Sequence, residues 1–260
     1  LRHDRRQLER TGLCRLQRGR IVLPRPAREL FVLHDLQFQY AFVTAVERCS
    51  ITLEAQRISA LVGPNGSGKT TLFNLITGME RLDEGEIYFK RERIDHLAPH
   101  KIARRGIGRT FQLIHVFPEL TALENLLVVT RQDWETSYRR AVELLTFVKL
   151  DRLSGEFAGN LSYGQQRLLE FARVLMIDPD LILLDEPAAG VNRSLLNDLL
   201  SAIRDLRAGG KTVLIVEHDM KVVMDLSEKI FVLDHGEKLT EGAPEAILSD
   251  ERVLEAYFGR

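Results

Sequence analysis

The stretch Gly63-Pro64-Asn65-Gly66-Ser67-Gly68-Lys69-Thr70-Thr71 satisfies the spacing G-x-x-x-x-G-K-[ST]. Glycines at 63, 66 and 68 let the backbone turn successive N–H groups toward one anion, and a helix starting behind them adds the positive end of its dipole. Lys69 can then bring a mobile charge to the β- and γ-phosphates of a nucleoside triphosphate such as ATP, while the Thr70 hydroxyl suits Mg²⁺. The bland alternative is a glycine-rich turn that happens to precede Lys-Thr.

A second acidic element follows far downstream, in Leu181-Ile182-Leu183-Leu184-Asp185-Glu186. A run of aliphatics reads as a strand buried on both faces, so Asp185 is expected to emerge at the carboxyl edge of a sheet, where open α/β folds place ligands. Asp185 is the natural Mg²⁺ partner, and Glu186 is placed to polarise the water that attacks a γ-phosphate. Without the glycine loop, the same pair reads equally well as an acidic strand end before the turn at Pro187.

These groups need a frame, and the pattern around them supplies one. Short β-rich runs at Phe31–Leu33, Val43–Val46 and Ser50–Leu53 precede the strand Ile58–Val62, the glycine loop, and a helical pattern through Leu72, Leu75 and Ile76 that stops at Gly78. Glu84–Phe89 reads as a hairpin return in a small antiparallel sheet, and residues from about Leu120 to Arg173 carry helical periodicity without strands. Helix Ser194–Arg207, strand Thr212–Val216, helix Met220–Leu226 and strand Lys229–Leu233 then alternate. The order predicts an α/β fold: a mainly parallel sheet, a small antiparallel β subdomain, and a helical subdomain inserted at about residues 113–175.

Length and composition agree. At 260 residues the chain holds one substantial domain, expected here over 30–260, and its net charge of -1 gives no general basic field for nucleic acid. Residues 1–29 are rich in arginine and show no sustained apolar period, which reads as a basic arm, disordered or non-native. Cys14 and Cys49 lack metal-ligand spacing and suit a reducing cytosol. No apolar run approaches the roughly 20 residues needed to span a bilayer, so membrane work would pass through a partner.

Between the two phosphate-site elements lies Asn160-Leu161-Ser162-Tyr163-Gly164-Gln165-Gln166-Arg167, opening a helix through Leu168, Phe171, Ala172 and Leu175. A hydroxyl and a glycine at a helix start form another anion cradle. Here the chain resembles the ABC ATPases, P-loop NTPases whose signature is Leu-Ser-Gly-Gly-Gln; the similarity covers roughly Phe31 to Gly259. The resemblance implies a two-ATPase dimer, homo- or heteromeric, in which Ser162, Gly164 and Gln165 of one copy close on the triphosphate held by the glycine loop of the other. It also implies that Gln112, in Arg109-Thr110-Phe111-Gln112, senses Mg²⁺ and the attacking water beside the contact with a membrane subunit. By the same resemblance His218 touches the γ-phosphate and Tyr40 stacks on adenine, with Phe38 as a rival. Read singly, Gln112 is a surface glutamine, His218 a lone histidine and Tyr40 a core aromatic; their joint order carries the reading.

Tyr163 in place of the first signature glycine and Asn192 in Pro187-Ala188-Ala189-Gly190-Val191-Asn192 look like the subgroup that energises uptake of branched-chain amino acids, amides and urea. So does the terminal Val253–Gly259. That resemblance implies permease subunits, indirectly a solute-binding protein, and a peripheral place on the cytoplasmic face of the inner membrane. A lipopolysaccharide-export ATPase resembles the chain in several of the same places. An ATP-driven clamp on ribosomes or DNA is a third reading, disfavoured by a lone cassette without sustained heptads. Ala55-Gln56-Arg57 stands where many relatives have a glycine turn, and Thr130–Ser137 is shorter than in many relatives.

Overall fold

A computed structural model describes residues 15–17, 20–22, 29–130 and 132–258, the first two segments and the last two residues by backbone only. Most of the basic arm therefore lies outside the described residues. Its two described pieces, β1 (Arg15–Gln17) and β2 (Arg20–Val22), pair antiparallel with each other.

Strands β3 (Glu29–Tyr40) and β4 (Val43–Glu54) form a long antiparallel hairpin. The three short runs expected from the sequence are thus parts of two strands of 12 residues each. Register shifts interrupt the pairing, and Asp35 (φ 52°) and Arg48 (φ 46°) take left-handed backbone, which breaks the alternation that periodicity detects. Gln56, in the segment that stands where many relatives have a glycine turn, likewise has φ 61°.

Strand β5 (Ile58–Val62) runs into the glycine loop and helix α1 (Lys69–Ile76). Strands β6 (Glu84–Phe89) and β7 (Glu92–Arg93) complete a four-stranded antiparallel sheet in the order β4-β3-β6-β7. Helix α2 (Pro99–Arg104) and strand β8 (Ile107–Arg109) follow; three residues are too few for a period-two signal, and the sequence reading did not anticipate β8.

The expected helical region contains α3 (Ala122–Leu127), α4 (Trp134–Phe147) and α5 (Tyr163–Leu175). Thr121 and Glu124 close a capping box on α3, and Asp133 caps α4, which is why these helices start where they do. Strand β9 (Leu181–Asp185), helix α6 (Arg193–Ala208), strand β10 (Thr212–Val216), helix α7 (Met220–Leu226) and strand β11 (Lys229–Asp234) match the expected alternation closely. Asn192 caps α6 by accepting from the Leu195 amide at 3.1 Å. Strand β12 (Glu237–Gly242) with α8 (Pro244–Leu248) and α9 (Glu251–Phe258) ends the chain.

The six-stranded sheet has the order β12-β11-β5-β10-β9-β8, parallel throughout except for β12. Every residue of β5, β9 and β10 is buried. Alternate residues go to opposite cores: Ile182, Leu184, Val213 and Ile215 join the core of the helical side, while Leu181, Leu183, Leu214 and Val216 share a second core with Phe31 of β3 and Phe73 of α1. Two buried faces explain the unbroken aliphatic runs, each Leu or Ile contributing roughly 1.5–3 kcal/mol. The same order lines up five strand ends along one edge of the sheet.

Candidate nucleotide site

The glycine loop sits at the end of β5, wedged between two neighbours. A Cβ on Gly63 would lie 2.1 Å from the Leu233 carbonyl oxygen, and one on Gly68 (φ 99°) would lie 2.4 Å from that of Ala45. Only glycine fits either place. The Gly236 amide donates to Ser67 O at 3.2 Å, tying the loop to the β11–β12 turn. Ser67 and Lys69 are buried, Pro64 and Thr71 partly so, and Asn65, Gly66 and Thr70 face solvent. A Cβ on Gly66 would meet nothing within 4 Å, so this side of the loop is open.

Lys69 Nζ donates to Gly63 O and Pro64 O, each at 2.8 Å, and to Ser67 Oγ at 3.3 Å. Burial lowers its pKa, and the nearby Glu186 and Asp185 carboxylates oppose that shift. The ammonium is therefore curled over the loop.

At the end of β9, Asp185 Oδ2 accepts from Arg109 Nη2 at 3.1 Å, with both side chains nearly inaccessible. Burial raises the Asp185 pKa and the guanidinium counters it. Arg109 was not anticipated as a site residue, although it stands in the quoted Arg-Thr-Phe-Gln run; its Nη1 also donates to Asn74 Oδ1 at 2.9 Å and Thr77 Oγ1 at 3.1 Å.

Glu186 is held on both oxygens. Gln112 Nε2 donates to Oε2 at 3.2 Å, and His218 Nε2 lies 2.6 Å from Oε1. Glu186 itself has φ 48°, a left-handed conformation that costs a non-glycine residue about 1–3 kcal/mol and concentrates at functional sites. Its amide is anchored on Val216 O at 2.9 Å. Gln112 and His218 thus both meet Glu186, although the three residues follow three different strands.

Two buried acids support them, and the sequence reading missed both. Glu217 accepts from the Ala188 amide at 2.7 Å and the His218 amide at 3.0 Å, joining the loop after Glu186 to the histidine. Burial raises its pKa, and those amides pull it down. Glu170 pairs with Arg167 at 3.2 Å, both almost fully buried, and Arg167 donates on to Phe111 O, Gln112 O and Glu186 O. A charged residue on an apolar helix face was the available signal.

Ser162 caps α5: its Oγ accepts from the Gln165 amide at 3.4 Å, and Gln165 Oε1 accepts from the Ser162 amide at 2.9 Å. Gly164 is buried against Leu195, where a Cβ would sit 2.7 Å from Cδ1. Among the described residues, no hydrogen bond joins Ser162, Gly164 or Gln165 to the glycine loop of the same chain. Tyr40 is 43% exposed beside the β3–β4 tip, while its rival Phe38 is 6% exposed and packs edge-on to it at 4.7 Å. Tyr40 hydroxyl donates to Glu80 Oε1 at 3.2 Å. The neighbouring Phe42, not singled out from sequence, projects wholly into solvent.

Comparison with known proteins bears on this geometry. The ABC transporter family matches residues 46–189, from β4 through both phosphate-site elements and the helix α5 signature. The chain belongs to the ABC transporter ATPase family. A second family, the branched-chain amino acid ATP-binding cassette transporter, matches this ABC ATPase over residues 237–260. The high-affinity branched-chain amino acid transport ATP-binding protein BraF of Pseudomonas aeruginosa is 39% identical over 252 residues, covering 90% of this chain and 99% of its own. A nucleotide-free ATP-binding cassette from an ABC transporter superposes with TM-score 0.82 at 33% identity, over 89% of this chain and 100% of that one. A dimeric bacterial ABC transporter cassette superposes with TM-score 0.76 at 27% identity, over 83% and 99%.

ABC ATPases bind and hydrolyse ATP, and the loop fits that ligand: its open Gly66 side, the start of α1 and the Lys69 ammonium share one place. Among the described residues, no helix of this ABC ATPase is long and apolar enough to cross a membrane.

Proposed function

We propose that this chain is one of two ATPase subunits powering uptake of branched-chain amino acids or related amides, peripheral to the inner membrane on its cytoplasmic face. The C-terminal family match and the relative BraF support the solute class. The observation that carries the catalytic part is Glu186 held between Gln112 and His218.

In this reading Lys69 turns from Gly63 O and Pro64 O to the β- and γ-phosphates, and backbone N–H groups of residues 65–71 cradle them. The Thr70 hydroxyl and Asp185 hold Mg²⁺, with Gln112 alongside. Among the described residues no three His, Cys, Asp or Glu cluster as a cage, so most ligands would be phosphate oxygens and water, the habit of Mg²⁺. When bound, the ion neutralises charge on the transferring phosphoryl group. Glu186 takes the proton from the attacking water, His218 orients that carboxylate and touches the γ-phosphate, and Tyr40 stacks on adenine. Ser162, Gly164 and Gln165 act across the dimer, on the triphosphate held by the second subunit; their separation from the loop within one chain supports that division.

Transmission to the permease would use the groove beside Gln112. A mostly apolar cavity of about 360 Å³ opens there, lined by Met79, Ile102, Ile107, Phe111, Val129 and Ile177. Arg109 and Arg173 also line it. An apolar segment of a membrane subunit would fill it.

The decisive test is Glu186→Gln with ATP. Retained ATP binding, a stable dimer on size-exclusion chromatography and loss of turnover are expected. Parental turnover would remove Glu186 from the chemistry. For the solute, the complex isolated from membranes should show ATP turnover stimulated by leucine, isoleucine or valine with the binding protein; stimulation by lipopolysaccharide instead would overturn the uptake assignment.

A further inference from the structure

We propose that Arg109 is a positioning residue that leaves Asp185 a single free oxygen for a divalent ion, and so biases the site toward Mg²⁺ over Ca²⁺. The proposal rests on the reading of Asp185 as the metal partner. Arg109 engages Asp185 Oδ2 at 3.1 Å, and no hydrogen bond reaches Oδ1 among the described residues. The main chain that carries the carboxylate is fixed as well, the Asp185 amide donating to Thr110 Oγ1 at 3.2 Å.

The guanidinium is equally constrained. Nη1 holds Asn74 and Thr77 at the end of α1, while Cζ lies 4.9 Å from the Phe111 ring centroid and 5.4 Å from that of Phe73. Releasing Oδ2 would require breaking contacts to α1 and both aromatics together. Arginine suits this place because its fork reaches two partners at once in a fixed plane, which lysine cannot do.

The consequence for an ion follows from coordination chemistry. Ca²⁺ takes six to eight oxygens and commonly chelates a carboxylate through both; Mg²⁺ keeps an octahedron with several waters and accepts one oxygen per carboxylate. A carboxylate whose second oxygen is tied to a guanidinium offers only the Mg²⁺ mode. Arg109 thereby acts through Asp185 and needs no contact with nucleotide.

The test compares binding of trinitrophenyl-ATP to the purified full chain in Mg²⁺, Ca²⁺ and EDTA, with melting temperature followed in parallel. Arg109→Met is expected to shrink the Mg²⁺-over-Ca²⁺ affinity ratio by about tenfold, chiefly by tightening the Ca²⁺ complex, the order expected of one charge-assisted ligand. Arg109→Lys keeps a charge beside Asp185 but not the fork, so its ratio should fall between those of the parent and Arg109→Met. A folded Arg109→Met protein with the parental ratio overturns the proposal, as does weakening in Mg²⁺, Ca²⁺ and EDTA alike, the mark of a packing defect. If Arg109→Met does not fold, Arg109→Gln carries the same comparison. Asp185→Asn should abolish the ion dependence; if the dependence survives, the reading of Asp185 fails whatever Arg109 does.

Discussion

Arg167 Nη2 donates to the main-chain carbonyl of Glu186 at 3.0 Å, so the helix carrying the signature residues is bolted to the backbone of the proposed general base. The same guanidinium holds the carbonyls of Phe111 and Gln112. A shift of α5 would therefore move Gln112 and Glu186 together, which makes this arginine a mechanical joint between the helical region and the site.

Removing that joint should be costly. Arg167→Met leaves Glu170 charged and buried without its partner, and breaking one side of a buried pair costs about 3–5 kcal/mol. Urea unfolding measures it. The double variant Arg167→Met/Glu170→Met should recover a substantial part of the loss; a double variant as unstable as the single one would show that the pair itself is not the source.

His218 is expected to act through Glu186, because its ring nitrogen lies on that carboxylate. His218→Ala should slow steady-state ATP turnover by about 10²-fold or more while ATP affinity changes little. Combined with Glu186→Gln, it should add almost nothing. A fully additive loss would place the histidine in a separate step.

Two glycines of one motif should respond differently to alanine. Both Gly66 (φ 81°) and Gly68 (φ 99°) have left-handed backbone, which costs alanine about 1–3 kcal/mol. Gly68→Ala also drives Cβ against Ala45 O, whereas Gly66→Ala enters open space. Thermal melting should therefore fall further for Gly68→Ala. Equal losses would mean that the β3–β4 hairpin yields to the loop.

Cys49 is buried, and that burial pushes its thiol up to about 12 from 9.0. The unfolded chain then loses its proton first, so stability is intact below pH 9.0 and declines as pH rises toward about 12. In a Cys14→Ser background, a thiol reagent at pH 8 should label nothing until denaturant is added. Rapid labelling of the native protein would show that the β4 core opens locally.

Much of this was readable in advance wherever the signal is contiguous. Lys69 and its glycines occupy one short run, and Asp185 ends an unbroken aliphatic strand, so both site and setting follow from neighbours in the chain. The β3–β4 hairpin was fragmented in the reading because positive-φ residues at Asp35 and Arg48 break a period-two pattern. The three-residue β8 was overlooked for want of length.

The amino-acid order by itself determined the glycine loop between β5 and α1, the proposed phosphate cradle, because every residue it needs is adjacent and glycine alone permits that path. It could not determine which distant groups meet there. Glu186 touches Gln112 across 74 positions and His218 across 32, and Arg109 reaches Asp185 across 76. Those meetings depend on the lateral order β5-β10-β9-β8, which sets strand ends from separate parts of the chain side by side. Sheet order is decided by burial of both faces against two cores, and local sequence carries no record of which strand will be the neighbour.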